Sequence, residues 1–367
     1  MRFSPVLSVY IARKFLAAFF GALGLIMGLI YLFDVIELLR RAATHGNAGL
    51  LVILEMALMK LPQMVQTILP FAVMIGAMSC FWAMTRSREL VVSRSAGISV
   101  WQFLAPVLGV VALIGLFDVT AFDPLSARMY RLYERLEDQQ ALRSGSPLQV
   151  NEDGLWLRET HGDEVVVVHA DHVWQRGLTL RLRTVSVFVT DTHMNFDYRL
   201  EAKTGVLGHN SFHLEDVALY RRERPVVLMP AYDFDTDLTM ARVMDSFATP
   251  ETVSFWELPG FIRFFESSGF SASRQKLYFQ SMLASPLLLC AMVLLAAAFS
   301  VNPDMRSGGV AKRLAGGVVA GFLFYFFSKV IYALGLSATL PVLMAAWIPS
   351  LVAGLIGVAA LFHLEDG

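Results

Sequence analysis

The chain has 367 residues, 56% of them hydrophobic, with a mean hydropathy of +0.55 and a formal net charge of −1. Soluble domains average about 45–50% apolar residues, and here the excess is gathered into long runs, which points to a membrane rather than to one large core. The near-neutral charge excludes the chain as a whole from polyanion binding, and no nucleic-acid partner is expected. Cys80 and Cys290 both lie inside apolar runs, where they read as small buried hydrophobes, with no disulfide framework.

Six apolar segments follow in chain order: residues 15–33, 65–84, 100–122, 277–300, 314–336 and 340–362. Each is long enough to cross a bilayer. With no water in the hydrocarbon, each must close its own backbone hydrogen bonds as a helix. The first is too long for a signal-peptide core and runs into Asp34 with no small-residue cleavage pattern, so it reads as an uncleaved span. Lys and Arg near the spans set orientation. Arg2, Arg13 and Lys14 precede the first span; Arg86, Arg88 and Arg94 lie between the second and third; Arg306, Lys312 and Arg313 lie between the fourth and fifth. That side is read as cytoplasmic, with both termini on it. Arg40, Arg41 and Lys60 lie on the opposite side, and the adjacent Arg40 and Arg41 depart from the bias.

Residues 123–276 are charged, broken by turn signals and assigned to the periplasmic side. From 125 to 143 the spacing of Met129, Leu132 and Leu136 is helical and extends the third span. The period then changes to two. Leu178, Leu180 and Leu182 alternate with Thr179, Arg181 and Arg183, followed by Val185, Val187 and Val189. Segments 164–169, 212–220 and 226–229 also read as strands. Several short strands over about 150–250 predict a β-sandwich or jelly roll, and a helix over 254–265 leads back to the membrane. The expected fold is therefore an α-helical membrane protein. It has six transmembrane helices and a jelly-roll-like, all-β periplasmic domain inserted between the third and fourth. Its parts are 1–122 with a cytoplasmic helix at about 85–98, then 123–276, then 277–367.

The search for catalytic motifs is negative. There is no G-x-x-x-x-G-K-[ST] loop to cradle a nucleotide phosphate, no H-E-x-x-H helix and no G-x-S-x-G elbow. His169 and His172 follow a strand-like run that puts them on opposite faces, so no metal site is expected. Three features remain. The connector 85–99 carries a three-turn helical pattern around Glu89, Leu90, Val91, Val92 and Ala96, with Gly97 suited to a helix stop and Ser99 to a cap. It is either a topogenic linker or a coupling helix that inserts into a cytoplasmic ATPase, with Arg86, Arg88, Glu89 and Leu90 as its contacts. The end of the first span carries Asp34, Glu37, Arg40 and Arg41; Asp34, Glu37 and Arg41 share a face. They form either an ion-pair network or a site for an anionic ligand, where guanidinium groups bind phosphate bidentately. Lys329, inside the fifth span, either faces an interior or snorkels.

Residues 88–99, Arg-Glu-Leu-Val-Val-Ser-Arg-Ser-Ala-Gly-Ile-Ser, with Pro62 and Pro70 in the second span and the Ala-Ala-Trp-Ile-Pro stretch at 345–349, resemble the LptF/LptG permease family. The form of 87–92 is more similar to its LptG branch, and Gln63 stands where some relatives carry a lysine. The resemblance runs end to end. It implies a non-catalytic, inner-membrane permease subunit without a cofactor of its own. Such a subunit pairs with LptF above a dimer of the ATPase LptB, which binds the ATP. Lipopolysaccharide is extracted from the membrane, passes into the jelly-roll domains and goes on through LptC and LptA. The same resemblance makes Glu89 the carboxylate that meets the ATPase. It makes Arg40 and Arg41 the contacts for lipid phosphates; Asp34 and Glu37 on the same helix, and Lys329 in the fifth span, are further candidates for binding the lipid. The alternatives are the paralogous LptF subunit, a lipoprotein- or efflux-type ABC permease, and a structural scaffold for envelope assembly.

Overall fold

The computed structural model describes residues 5–45, 49–89, 92, 95, 99–139, 148–151, 154–161, 164–176, 179–191, 196–208, 211–221, 224–236, 249–267, 270–300 and 310–365. The chain forms two compact units. One comprises Met1–Leu142, Glu251–Leu258 and Ser273–Gly367; the other comprises Arg143–Pro250 and Pro259–Ala272.

Among the described residues, the first unit holds six helices long and apolar enough to span a bilayer. They are α1 (Pro5–His45), α2 (Leu50–Arg86), α3 (Val100–Phe117), α6 (Ser273–Ser300), α7 (Val310–Leu336) and α8 (Val342–Glu365). α3 passes through a π-helical turn, Asp118–Phe122, into α4 (Asp123–Gln139), making one candidate span of Val100–Glu137. The expected extension of the third span is helical as far as Gln139, and residues 140–143 lie outside the described residues. Ser99 starts α3 with a capping box: its side chain accepts from Gln102 N at 3.3 Å, while the Gln102 side chain accepts from Ser99 N at 3.3 Å. Prolines at 62, 70, 106, 286 and 349 sit inside helices, as neighbouring groups in a membrane bundle permit.

Lipid is as apolar as leucine, so close packing, rather than water expulsion, joins such helices. The core brings Phe15 and Phe19 of α1 against Ala72, Val73 and Phe81 of α2, Leu104 and Val107 of α3, and Met292 and Ala296 of α6, all at most 3% exposed. Gly76 is needed where α2 meets α1: a Cβ there would stand 2.7 Å from the Phe19 Cα. Gly357 plays the same part for α8, where a Cβ would stand 2.6 Å from Leu294 Cβ. The spanning stretches of α1 and α7 are the least enclosed, each with only 11% of its most apolar window buried. They leave faces such as Leu25, Leu29 and Phe33 on α1, and Phe322, Leu323 and Phe326 on α7, exposed.

Among the described residues, the second unit is built on seven antiparallel strands in consecutive order: β1 (Leu148–Asn151), β2 (Gly154–His161), β3 (Glu164–Arg176), β4 (Thr179–Asp191), β5 (Phe196–Leu207), β6 (Ser211–Arg221) and β7 (Val227–Asp235). A short helix, α5 (Leu258–Ser267), follows. It starts later than 254, because the backbone N–H groups of Glu257 and Leu258 first turn back to the Ser254 carbonyl at 2.9 and 3.0 Å.

One row of residues creases the sheet. Asp171, Thr184, Lys203, Asp216 and Pro230 lie opposite one another on β3 to β7, and the ladder pairing is interrupted at each, resuming in register on both sides. Thr184 and Asp216 hold left-handed backbone, with φ of 54° and 53°, and Pro230 has no N–H to give. The buried parity reverses at this row. On β4 it passes from Leu180 and Leu182 to Val185, Val187 and Val189; on β5 from Leu200 and Ala202 to Leu207; on β6 from Phe212 and Leu214 to Val217, none more than 6% exposed. An unpaired residue, in left-handed backbone on β4 and β6, turns the strand about its axis so that the residues after it change face. Repeated across neighbouring strands, it bends the sheet while one face stays inside.

Candidate functional site

Three charged sites lie in the helical unit. The first is at the C-terminal end of α1. Spacings of three and four residues put Arg40 and Arg41 over Glu37. Arg40 donates through Nε and Nη2, both at 2.8 Å, and Arg41 through Nε at 3.0 Å. Arg41 Nη1 also lies 3.5 Å from Glu137 on α4, whose carboxylate accepts the Tyr133 hydroxyl at 3.0 Å. Asp34 turns instead to α2 and accepts from Lys60 at 2.6 Å. The Lys60 ammonium stands 5.4 Å from the Tyr133 ring centre, so that ring joins the two halves of the cluster. Underneath, Leu38, Ala42, Ile53, Met56, Ala57 and Tyr133 form an apolar floor. Arg40, Arg41 and Lys60 thus meet Glu37, Asp34 and Glu137, three cations against three carboxylates. Arg40 is the most open of them, with 71% of its side chain exposed.

The second site is the connector after α2. Thr85 and Arg86 still belong to that helix, and the Arg86 guanidinium stands 5.5 Å from the Trp82 ring centre. The Thr85 hydroxyl donates to the Phe81 carbonyl at 2.8 Å and lies 3.4 Å from that of Ser300. Arg88 then adopts φ 60° and turns Glu89 back toward α1. The carboxylate accepts from Lys14 at 2.8 and 2.9 Å, from the Tyr10 hydroxyl at 3.2 Å and from Ser87 at 2.9 Å. Burial alone would raise its pKa; the bonds from Lys14, Ser87 and Tyr10 outweigh that and hold it below the usual carboxylate value. Leu90, read from sequence as a contact of this segment, lies outside the described residues.

The third site is a cavity of about 410 Å³ among α2, the π-helical turn, α6, α7 and α8, with Gln63, Gln66, Asp118, Glu251, Tyr278 and Lys329 in its wall. Lys329 lies at its edge with its ammonium 5.3 Å from the Tyr325 ring centre. Gln66 of α2 and Asp118 of the π-helical turn share the wall of this cavity. Asp123 accepts from Phe255 N at 2.7 Å, and Trp256 Nε1 donates to the Thr120 carbonyl at 3.0 Å. The π-helical turn and the start of α4 are thus held by the segment before α5. Sequence reading named Lys329 of this site but not its other wall residues, nor the Lys60, Tyr133 and Glu137 partners of the first. Asp118, a lone carboxylate inside an apolar run, was the available signal.

Spanning helices with charges gathered at their ends and around one internal cavity, and a β domain inserted between the third and fourth, define a multi-pass membrane transport protein. The model of the lipopolysaccharide export system permease LptF/LptG family matches residues 9–363. Among individual relatives, the lipopolysaccharide export system permease protein LptG of Haemophilus influenzae is 23% identical over 363 residues, covering 94% of each chain. The LptG of Escherichia coli K12 is 23% identical over 354 residues, again covering 94% of each. The chain belongs to the LptF/LptG permease family and is a multi-pass inner-membrane protein.

Proposed function

We propose that this chain is the LptG-type permease subunit of the ABC transporter that extracts lipopolysaccharide from the inner membrane. In this reading it pairs with an LptF subunit and takes its power from a dimer of the ATPase LptB docked on the connector around Glu89. It passes lipid through its periplasmic β domain toward LptC and LptA. The observation that carries the reading is the span of the family match, 9–363, which takes in all six helices and the β domain together. The LptG branch is supported by the names of its relatives and the form of residues 87–92. The chain itself binds no nucleotide and needs no cofactor in this scheme.

Arg40, with Arg41 beside it, is the contact for lipid phosphates. A phosphate competes with Glu37 for the same guanidinium donors, and charge-assisted bonds of this kind contribute about 1.5–3 kcal/mol each. Lys329, at the rim of the cavity, is a second contact. Purification from native membranes, with identification of co-purifying proteins and lipid, tests the whole scheme. The expected result is a second family subunit, an ATPase and lipopolysaccharide in one complex. A complex without lipopolysaccharide overturns the proposal. Docking at Glu89 is tested separately: Glu89→Ala should reach the membrane at normal levels yet recover less ATPase.

A further inference from the structure

The Glu89 contact holds more than a docking residue requires. Tyr10 and Lys14 sit one turn apart on α1, and both reach the same carboxylate, while the Lys14 ammonium stands 4.8 Å from the Tyr10 ring centre. On the adjoining face of these turns Ile11 and Phe15 are fully buried, so this end of α1 is fixed in the bundle. Ser87 closes the carboxylate from the connector side. Arg88 completes the arrangement: a non-glycine residue keeps left-handed backbone only where its surroundings over-determine it, and here its φ of 60° directs Glu89 to α1.

We propose that Lys14 is a positioning residue for coupling, tying the connector to the first span so that a displacement of the connector is delivered to α1. α1 is one uninterrupted helix, Pro5–His45. The rise from Lys14 to Arg40 is about 39 Å at 1.5 Å per residue, so motion of the connector reaches the guanidinium groups at the far end without crossing a break in the helix. The inference rests on the reading of the connector as the ATPase contact. It adds that ATP hydrolysis and ligand handling are joined through α1, by an ion pair that sequence spacing alone does not reveal.

The test uses the complex purified from native membranes and returned to proteoliposomes, scoring ATPase retention, ATP hydrolysis and lipopolysaccharide extraction separately. Lys14→Met is expected to keep the ATPase and its hydrolysis while extraction falls by about fivefold or more, the lower end of coupling between distinct sites. Lys14→Arg, which keeps the charge that bonds Glu89, should restore extraction. Tyr10→Phe removes one bond without touching the charge, and should lower extraction by about twofold at unchanged hydrolysis. Wild-type extraction in both Lys14→Met and Tyr10→Phe overturns the proposal. So does loss of ATPase retention in Lys14→Met that Lys14→Arg does not recover, because Lys14 would then serve folding or docking. If Glu89→Ala leaves ATPase retention unchanged while Lys14→Met still separates hydrolysis from extraction, the docking role of Glu89 fails and the tie to α1 stands.

Discussion

Arg40 and Arg41 share the Glu37 carboxylate, and that bears on what each substitution should do. Glu37 holds both guanidinium groups at 2.8–3.0 Å, so Glu37→Gln should loosen them and strengthen lipopolysaccharide binding, whereas Arg40→Glu with Arg41→Glu should weaken extraction while ATP hydrolysis continues. Unchanged extraction in both, at low and at physiological salt, would mark these arginines as structural. Lysine replacements keep the charge but lose the two-pronged geometry and should fall between. Arg88 makes a sharper test of local backbone. Its φ of 60° suits glycine, so Arg88→Gly should keep the stability of the chain, whereas Arg88→Val should cost on the order of 1–3 kcal/mol and release Glu89. Thermal unfolding of the purified chain, read beside ATPase retention, distinguishes them. The Glu89 carboxyl, held below its usual value, stabilises its contact fully above the ordinary carboxylate pKa of about 4.3 and loses that contribution as pH falls through the lowered value. The Lys14 contact should therefore persist throughout the neutral range, which infrared titration of the Glu89 carboxylate band can follow.

At the scale of elements, the crease across β3 to β7 is where local backbone and sheet shape meet. Thr184, at φ 54°, carries a β-branched side chain in a conformation that favours glycine. Thr184→Gly should leave the β domain as stable or gain up to about 1 kcal/mol, while Thr184→Ile should destabilise it; hydrogen exchange of the Val185–Val189 amides in the full-length chain reports both. The crease was legible and overlooked: Leu180 and Leu182 are even-numbered, Val185, Val187 and Val189 odd, and a search for period two finds each half without noticing the change of parity. β5 was legible too, since Phe196, Tyr198, Leu200 and Ala202 alternate with Asp197, Arg199, Glu201 and Lys203, yet it was not read. The helices declared themselves because a bilayer demands long apolar runs. Residue roles were less accessible. Glu37 with Arg40 and Arg41 follows from spacing within one helix, but Lys60 with Asp34, and Lys14 with Glu89, join residues 26 and 75 positions apart, and only the packing of α1 against its neighbours creates those pairs.

For the whole molecule the prediction concerns orientation. Three groups of three basic residues, at Arg2, Arg13 and Lys14, at Arg86, Arg88 and Arg94, and at Arg306, Lys312 and Arg313, flank the spans on the side of the termini, against Arg40, Arg41 and Lys60 in the short connection between the first two spans on the other. Membrane insertion retains Lys and Arg in the cytoplasm, and carboxylates contribute little to that sorting, so the larger group should be cytoplasmic. The folded structure bears on how the minority is tolerated, since Arg40 and Arg41 bond to Glu37 and Lys60 to Asp34. A β domain on the far side would then stand in the periplasm, where a lipid leaving the outer leaflet can reach it, and the connector would stand in the cytoplasm, where an ATPase can. Reporter fusions at Gly145, before the β strands, and at Gly308, between α6 and α7, should therefore report opposite compartments, periplasmic and cytoplasmic respectively. Both in one compartment would contradict the six-span arrangement. The reverse assignment would put Glu89 out of reach of any ATPase and remove the physical basis for coupling through Lys14.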